Sequence, residues 1–340
     1  MAETANIAAI ASRITHDIFN VFHWGTHSLN DTNFECVLPT HTASGDNEKK
    51  THPGDVVFHY LDPYLNKRIY LHTDLKSYSK STLKVGKIRD ALRSLAMTVE
   101  CASVSETWKR KYLLDSKESY EVRGLLFVVN HDNKAPASFT ENLKKIATEN
   151  LPIAKSQILH VLGPEDINNL YAIATDIQLT IQKKKLSSFY RFFYPDLTLW
   201  KRHTTDDERI GATIETLLSP YFILRHGAVV DEKDPTQVLE KPGSLVYYSR
   251  AGTTTDEFIY LLDSLLRYQL VNAKEQVRIR VVHRDRATDL KSNFERAKEQ
   301  YCRSWKFQGD RESEIKDITI DSINQISANY SPEEIGWRVK

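Results

Sequence analysis

Two apolar runs separated by a short polar break, DVVFHYL from Asp55 and RIYLHTDL ending at Leu75, constrain this chain more than any other stretch. Each has the length and the β-branched and aromatic content of a strand. The break between them, DPYLNK from Asp62 to Lys67, carries the Asp, Pro and Asn of a turn. The pattern predicts an antiparallel hairpin with charged ends, because Asp55 opens the first run, Asp74 closes the second, and Lys76 follows two residues later. Strand side chains alternate, so Asp74 and Lys76 share a face, and the hairpin carries Asp55 toward them.

Two carboxylates with a nearby backbone carbonyl and waters form an all-oxygen site that suits Mg²⁺, with Mn²⁺ as a substitute. A lysine beside them can orient an attacking water and offset charge on a phosphate. The alternative is that Asp55 and Asp74 are strand-end charges and Lys76 a solvated one. Asp62 reads as turn chemistry, since Asp followed by Pro favours a local hydrogen bond and a fixed φ. His59 and His72 flank the same strands without a regular zinc spacing and are expected to be packed or hydrogen-bonded.

The flanking sequence predicts the rest of a small α/β core. NIAAIASRITHDIFNVF, from Asn6 to Phe22, repeats apolar residues at helical spacing, with Ile7, Ile10, Ile14 and Ile18 as a stripe. A short apolar piece, FECVLP, precedes the loop-like THTASGDNEKKTHPG. Ser81 to Cys101 predicts a second helix with Leu83, Ile88, Leu92, Leu95 and Val99 facing inward, and VRGLLFVVN, ending at Asn130, predicts a buried strand. The order is helix, three strands, helix, strand. QILHVLG and DINNLYAIATDIQLTI complete or leave this unit.

This region resembles the PD-(D/E)xK nuclease superfamily, whose core has that element order. Asp55 stands at its metal-binding aspartate, and Asp74 and Lys76 stand at its (D/E)xK element. The resemblance runs from about Asn6 to Asn130 and implies a restriction-endonuclease-like fold and Mg²⁺-dependent hydrolysis of DNA phosphodiesters, with double-stranded DNA as the partner. It departs from the pattern at Gly54-Asp55, where PD is usual, although Pro53 sits just before. Many members add an acidic residue from the first helix. Asp17 is the first candidate for that additional metal ligand and Glu35 the second.

Six basic residues, Lys76, Lys80, Lys84, Lys87, Arg89 and Arg93, stand against one acidic residue, Asp90, in this stretch. On a helix, Lys80, Lys84 and Lys87 would form an outward ridge, with Arg89 nearby, placed for backbone phosphates. The alternative is a solvated helix face. KKKLSSFYRFFYPDLTLWKRH offers a second basic and aromatic candidate, read first as inter-domain or oligomer glue.

The expected division is a nuclease-like domain over 1–182, an aromatic and basic connection over 183–209, and an α/β or α+β domain over 210–340 for interaction or substrate positioning. In that last part YFILRHG, SLVYYS and VRIRVVH are strand-like, while TTDEFIYLLDSLLRYQL and ATDLKSNFERAKEQYCRSW are helix-like. Forty-six Lys plus Arg against forty-five Asp plus Glu leave a net charge of +1, so any polyanion surface must be local. No apolar run reaches membrane-spanning length, and the three dispersed cysteines, Cys36, Cys101 and Cys302, fit neither a disulfide framework nor a cysteine zinc cluster. The expected setting is cytoplasmic, with no cofactor beyond the metal ion. A regulatory protein partner or a homo-oligomer would restrain a DNA-degrading enzyme, and antiphage defence is the favoured context. Two non-enzymatic alternatives stand beside it: an inactive nucleic-acid-binding subunit, and a structural subunit of a larger complex.

Overall fold

The computed structural model describes residues 13–42, 47–132, 134–136, 139–195, 210–234 and 236–324. The chain is a mixed α/β protein with two compact units, one ending at Asn168 and the other beginning at Asn169.

In the first unit an opening helical turn, Thr15–Phe19, has the wide π form, with Ile14 and Ile18 buried. Ile7 and Ile10 of the expected stripe lie outside the described residues. There follow β1 (Gly25–Thr26), β2 (Phe34–Glu35), β3 (Thr51–His52), β4 (Val56–Asp62), β5 (Lys67–Tyr78), α1 (Val85–Val104), α2 (Glu106–Tyr112), β6 (Tyr120–Asn130), α3 (Phe139–Leu143), β7 (Leu159–Leu162) and α4 (Pro164–Gln182). The boundary between the units falls within α4.

The main sheet runs in the order β1-β4-β5-β6-β7. The expected hairpin is present, with β4 and β5 antiparallel from Val56↔Thr73 to Asp62↔Lys67. Asp62 closes its turn, its Oδ1 accepting from the N–H groups of Tyr64 and Leu65 at 2.9 and 3.0 Å. On the other side β5 is parallel to β6 along its length, and β6 is parallel to β7. Both faces are covered, which explains the near-continuous apolar runs of β4 and β6.

On one face Phe19 packs on Phe58 and Phe127, with ring centroids 4.6 and 6.2 Å apart. On the other, Val57, Tyr70, Leu126 and Val128 share a core with Ile88, Leu92, Leu95 and Val99 of α1. That is the inward stripe expected for this helix.

Two expectations need correction. FECVLP does not join the main sheet. Its strand β2 pairs with β3, which lies in the stretch expected to be loop, and the sheet edge is taken by β1. Gly25 of β1 packs directly under the His59 ring, where a side chain would collide, so this short strand can sit against β4. The second helix starts at Val85 rather than Ser81. Hydroxyls compete for the local backbone there, with the Ser79 N–H donating to Thr82 Oγ1 at 3.0 Å. Lys80 and Lys84 therefore precede the helix and do not form a helical ridge with Lys87.

The second unit contains β8 (Tyr190–Phe192), α5 (Ile214–Leu217), β9 (Tyr221–His226), β10 (Val229–Val230), β11 (Val238–Glu240), β12 (Gly243–Tyr248), α6 (Thr255–Arg267), β13 (Gln276–Val281), α7 (Leu290–Trp305), α8 (Asp310–Lys316) and β14 (Thr319–Ser322). Its sheet order is β14-β13-β12-β9-β8, with β12, β13 and β14 parallel. Thr254 caps α6 in a capping box with Glu257. The 183–209 segment supplies β8 to this sheet, burying Tyr190 and Phe192 while Phe189 stays exposed. Residues 196–209 lie outside the described residues. No described helix is long and apolar enough to cross a membrane.

Phe127 links the opening helical turn to the sheet centre. Its replacement by Ala is expected to cost about 3–5 kcal/mol, read as a lower urea midpoint with an unchanged slope.

Candidate active site

The parallel and antiparallel partners of β5 end at different points, and that mismatch makes the site. Pairing with β4 stops at Val56↔Thr73, whereas pairing with β6 continues from Asp74↔Leu126 to Tyr78↔Asn130. Beyond Thr73 the hairpin forks. The Leu75 N–H, left without a backbone acceptor from β4, donates to Asp55 Oδ2 at 2.8 Å. The Asp55 carboxylate thus replaces a ladder carbonyl and is held beside Asp74.

The approach to Asp55 is tightly built. The Asp31 and Thr32 N–H groups donate to the carbonyls of Asp55 and Gly54, both at 2.9 Å. A Cβ at Gly54 would lie 2.8 Å from the Thr32 carbonyl oxygen and 3.1 Å from the Tyr112 hydroxyl. This close approach accounts for glycine where related motifs have proline. His72 supports the same turn from below. Its Nδ1 accepts from Trp108 Nε1 at 3.2 Å, which leaves the proton on Nε2 to donate to the Pro53 carbonyl at 2.8 Å. Burial holds the His72 pKa below its ordinary value, so the ring is a neutral support. His59 is likewise packed, facing Arg68 Nη1 at 3.3 Å, with burial pulling its pKa to about 4.

Asp55, Asp74 and Lys76 converge. The two carboxylates are 8% and 9% exposed, and Lys76 Nζ lies 2.6 Å from Asp74 Oδ1 with its side chain 37% exposed. Burial, followed by the charge of Asp74, raises the Asp55 pKa to about 7 against the opposing Leu75 N–H and Lys76. Burial works against the Lys76 ammonium, but Asp74 with help from Asp55 outweighs it and holds the pKa above its usual value. The adjoining cleft is walled by Pro53, His72 and Thr73 from the sheet side and by Ser94, Leu95 and Thr98 of α1.

The other expected site residues lie differently. Asp17 is ion-paired with Arg13 at 3.1 Å, on the helical turn whose Phe19 packs on the sheet face opposite α1. Glu35 is exposed on β2, opposite Thr51. Lys80, Lys84, Lys87 and Arg89 are all exposed at or before the start of α1. Sequence reasoning passed over Lys49, whose Nζ lies 3.5 Å from Ser94 Oγ and which feels the charge of Asp74. Its only sequence signal was a basic pair in a polar loop.

Residues 1–166 match the family model described as the GAPS4 protein PD-(D/E)XK nuclease domain. The N-terminal part of the chain is a PD-(D/E)XK nuclease domain. No curated protein and no solved structure matches the chain. PD-(D/E)XK nucleases usually use divalent metals. The donor set of this domain fits such an ion, because Asp55 is packed against Asp74, whose charge raises its proton affinity, and a cation would relieve that repulsion in an all-oxygen site.

The raised pKa has a consequence for stability. With a folded pKa of about 7 against an ordinary 3.8, the folded state binds a proton that the unfolded chain has lost. Stability contributed by Asp55 therefore falls as pH rises through that window. In magnesium-free buffer Asp55→Asn is expected to be at least as stable as the wild type at about pH 5 and clearly more stable at about pH 8, measured by urea denaturation. Equal pH slopes for the two proteins would contradict the assignment.

Proposed function

We propose that this protein is a Mg²⁺-dependent deoxyribonuclease that cleaves double-stranded DNA in antiphage defence. The observation that carries the reading is the convergence of Asp55, Asp74 and Lys76 at the fork between β4 and β5. The matched family is an antiphage defence family, which supports the biological context.

In this reading Asp55 and Asp74 hold the ion, and Lys76 acts on the attacking water. Bound Mg²⁺ supplies Lewis-acid polarisation of the scissile phosphate and lowers the pKa of water. The Lys76 ammonium already donates to Asp74, and its remaining N–H groups can orient a water or meet a phosphate oxygen as negative charge develops. Asp55 must be ionised to bind the ion, so metal affinity and cleavage rise with pH toward and through about 7.

Lys80, Lys84, Lys87 and Arg89 are the proposed DNA contacts. They crowd a helix start that has no acidic residue in its first turn and no side-chain cap from Lys84. Cations there oppose the helix dipole, so their placement favours the approach of an anion over the stability of α1. Contacts of this kind give affinity without sequence preference. The remainder of the chain is proposed to position substrate or bind a regulatory partner in the cytoplasm.

Full-length protein with duplex DNA and Mg²⁺, assayed alone and with any co-purifying protein, tests the activity. Asp74→Ala and Lys76→Ala are each expected to lower cleavage by about a hundredfold or more. Variants that cleave like the wild type would remove these residues from the mechanism. Lys87→Glu with Arg89→Glu is expected to weaken binding to every duplex alike and to lower the salt-dependence slope by about one per lost phosphate contact. Unchanged salt dependence would place the DNA elsewhere.

A further inference from the structure

Two of the three cysteines that are dispersed in sequence meet in the fold. Cys36 and Cys101, 65 residues apart in sequence, have sulfurs 4.0 Å apart, and His41 and His52 complete a cluster in which one ligand atom from each residue lies within 4.8 Å of every other. His41, His52 and Cys101 are buried and Cys36 is partly exposed. From this geometry we infer a structural Zn²⁺ site formed by Cys36, His41, His52 and Cys101, separate from the carboxylate site.

Three of the six edges are close to those of a tetrahedron. With bonds of about 2.3 Å to sulfur and about 2.05 Å to nitrogen, tetrahedral angles place two sulfurs about 3.8 Å apart, a sulfur and a nitrogen about 3.6 Å, and two nitrogens about 3.3 Å. The corresponding edges are 4.0 Å for Cys36 to Cys101, 3.4 Å for Cys36 to His41 Nδ1, and 3.2 Å for His41 Nδ1 to His52 Nε2.

The surrounding hydrogen bonds turn the right atoms inward. The Thr98 hydroxyl donates to the Ser94 carbonyl at 2.9 Å, so toward His52 Nδ1, 3.2 Å away, it offers an acceptor. The His52 proton therefore sits on Nδ1 and Nε2 presents a lone pair. Glu100 Oε2 lies 3.1 Å from His41 Nε2 and accepts its N–H, which leaves the His41 Nδ1 lone pair facing the same point. Two imidazole lone pairs 3.2 Å apart repel unless a cation lies against both. A carboxylate behind one histidine and a hydroxyl behind the other are outer partners of the kind that orient zinc ligands. The Val37 N–H donates to Cys101 Sγ at 3.1 Å, which stabilises a thiolate.

Two thiols and two imidazoles favour zinc over Mg²⁺, and four protein ligands leave no open position, so the role is structural. Binding releases the two thiol protons. The ion would fasten the two-residue ladder of β2 and β3 to α1, three residues before Asp55.

Full-length protein purified without chelator from zinc-supplemented cells is expected to carry one zinc per chain by elemental analysis. Cys36→Ser with Cys101→Ser should lower the zinc content at least tenfold, whereas Asp74→Asn should leave it unchanged, which separates this site from the nuclease ion. If the cysteine variant does not fold, the wild type alone decides the matter. Its Cys36 and Cys101 should resist alkylation until a zinc chelator is added, and Co²⁺ loaded in place of zinc should show tetrahedral ligand-field absorption with thiolate charge transfer. Wild type holding less than about a tenth of an equivalent of zinc with both cysteines freely alkylated, or a Cys36–Cys101 disulfide in place of metal, would overturn the inference.

Discussion

The hydrogen bond from the Leu75 main chain to the Asp55 carboxylate governs the N-terminal unit. It is possible only because β5 outruns β4 by several residues while remaining paired with β6. A buried N–H at the end of a ladder needs an acceptor, and here a side chain supplies it. One carboxylate is thereby committed to closing the sheet, and alternation along β5 sets Asp74 and Lys76 on the α1 side of the same fork. His72, Trp108, Gly54 and the backbone of Asp31 and Thr32 then fix the turn into Asp55 from several directions.

Such a site is held together against its own charge. Burial and the charge of Asp74 raise the proton affinity of Asp55, and Lys76 offsets only part of that effect. The surrounding core must supply the difference, and it does so with apolar packing on both faces of the sheet, Phe19 and Phe58 on one side and the Leu92, Leu95 and Val99 stripe on the other. Strain kept at a site and balanced elsewhere is the usual signature of function.

What was legible in the sequence follows from periodicity and local chemistry. The hairpin, the Asp62 turn, the inward stripe of α1 and the VRGLLFVVN strand each carry their signal within a few neighbouring residues. The edge strand was not legible, because Gly25–Thr26 is too short to show a period and FECVLP offers a stronger apolar signal while packing elsewhere. The start of α1 was missed because Ser79, Ser81 and Thr82 bond locally, which propensity alone does not reveal. Convergence of Asp55 with Asp74 was suggested by the hairpin. Lys49 and the Cys36–Cys101 pair depend on long-range contacts between a loop and α1, and spacing along the chain holds no trace of them.

The two clusters present different donors. One offers two carboxylates with an ammonium beside them, and the other offers thiols and imidazoles behind them a hydroxyl and a carboxylate. Zinc outcompetes Mg²⁺ for most donor sets, so a nuclease domain with only the carboxylates would be open to occupation by the wrong ion. The charge of Lys76 beside Asp74 weakens the field there for either dication alike. Thr98 and Ser94 of α1 take part in both places, lining the carboxylate cleft and orienting His52. A shift of α1 would therefore disturb both clusters together, which makes the position of this helix the quantity on which the proposed chemistry and the proposed zinc site jointly depend.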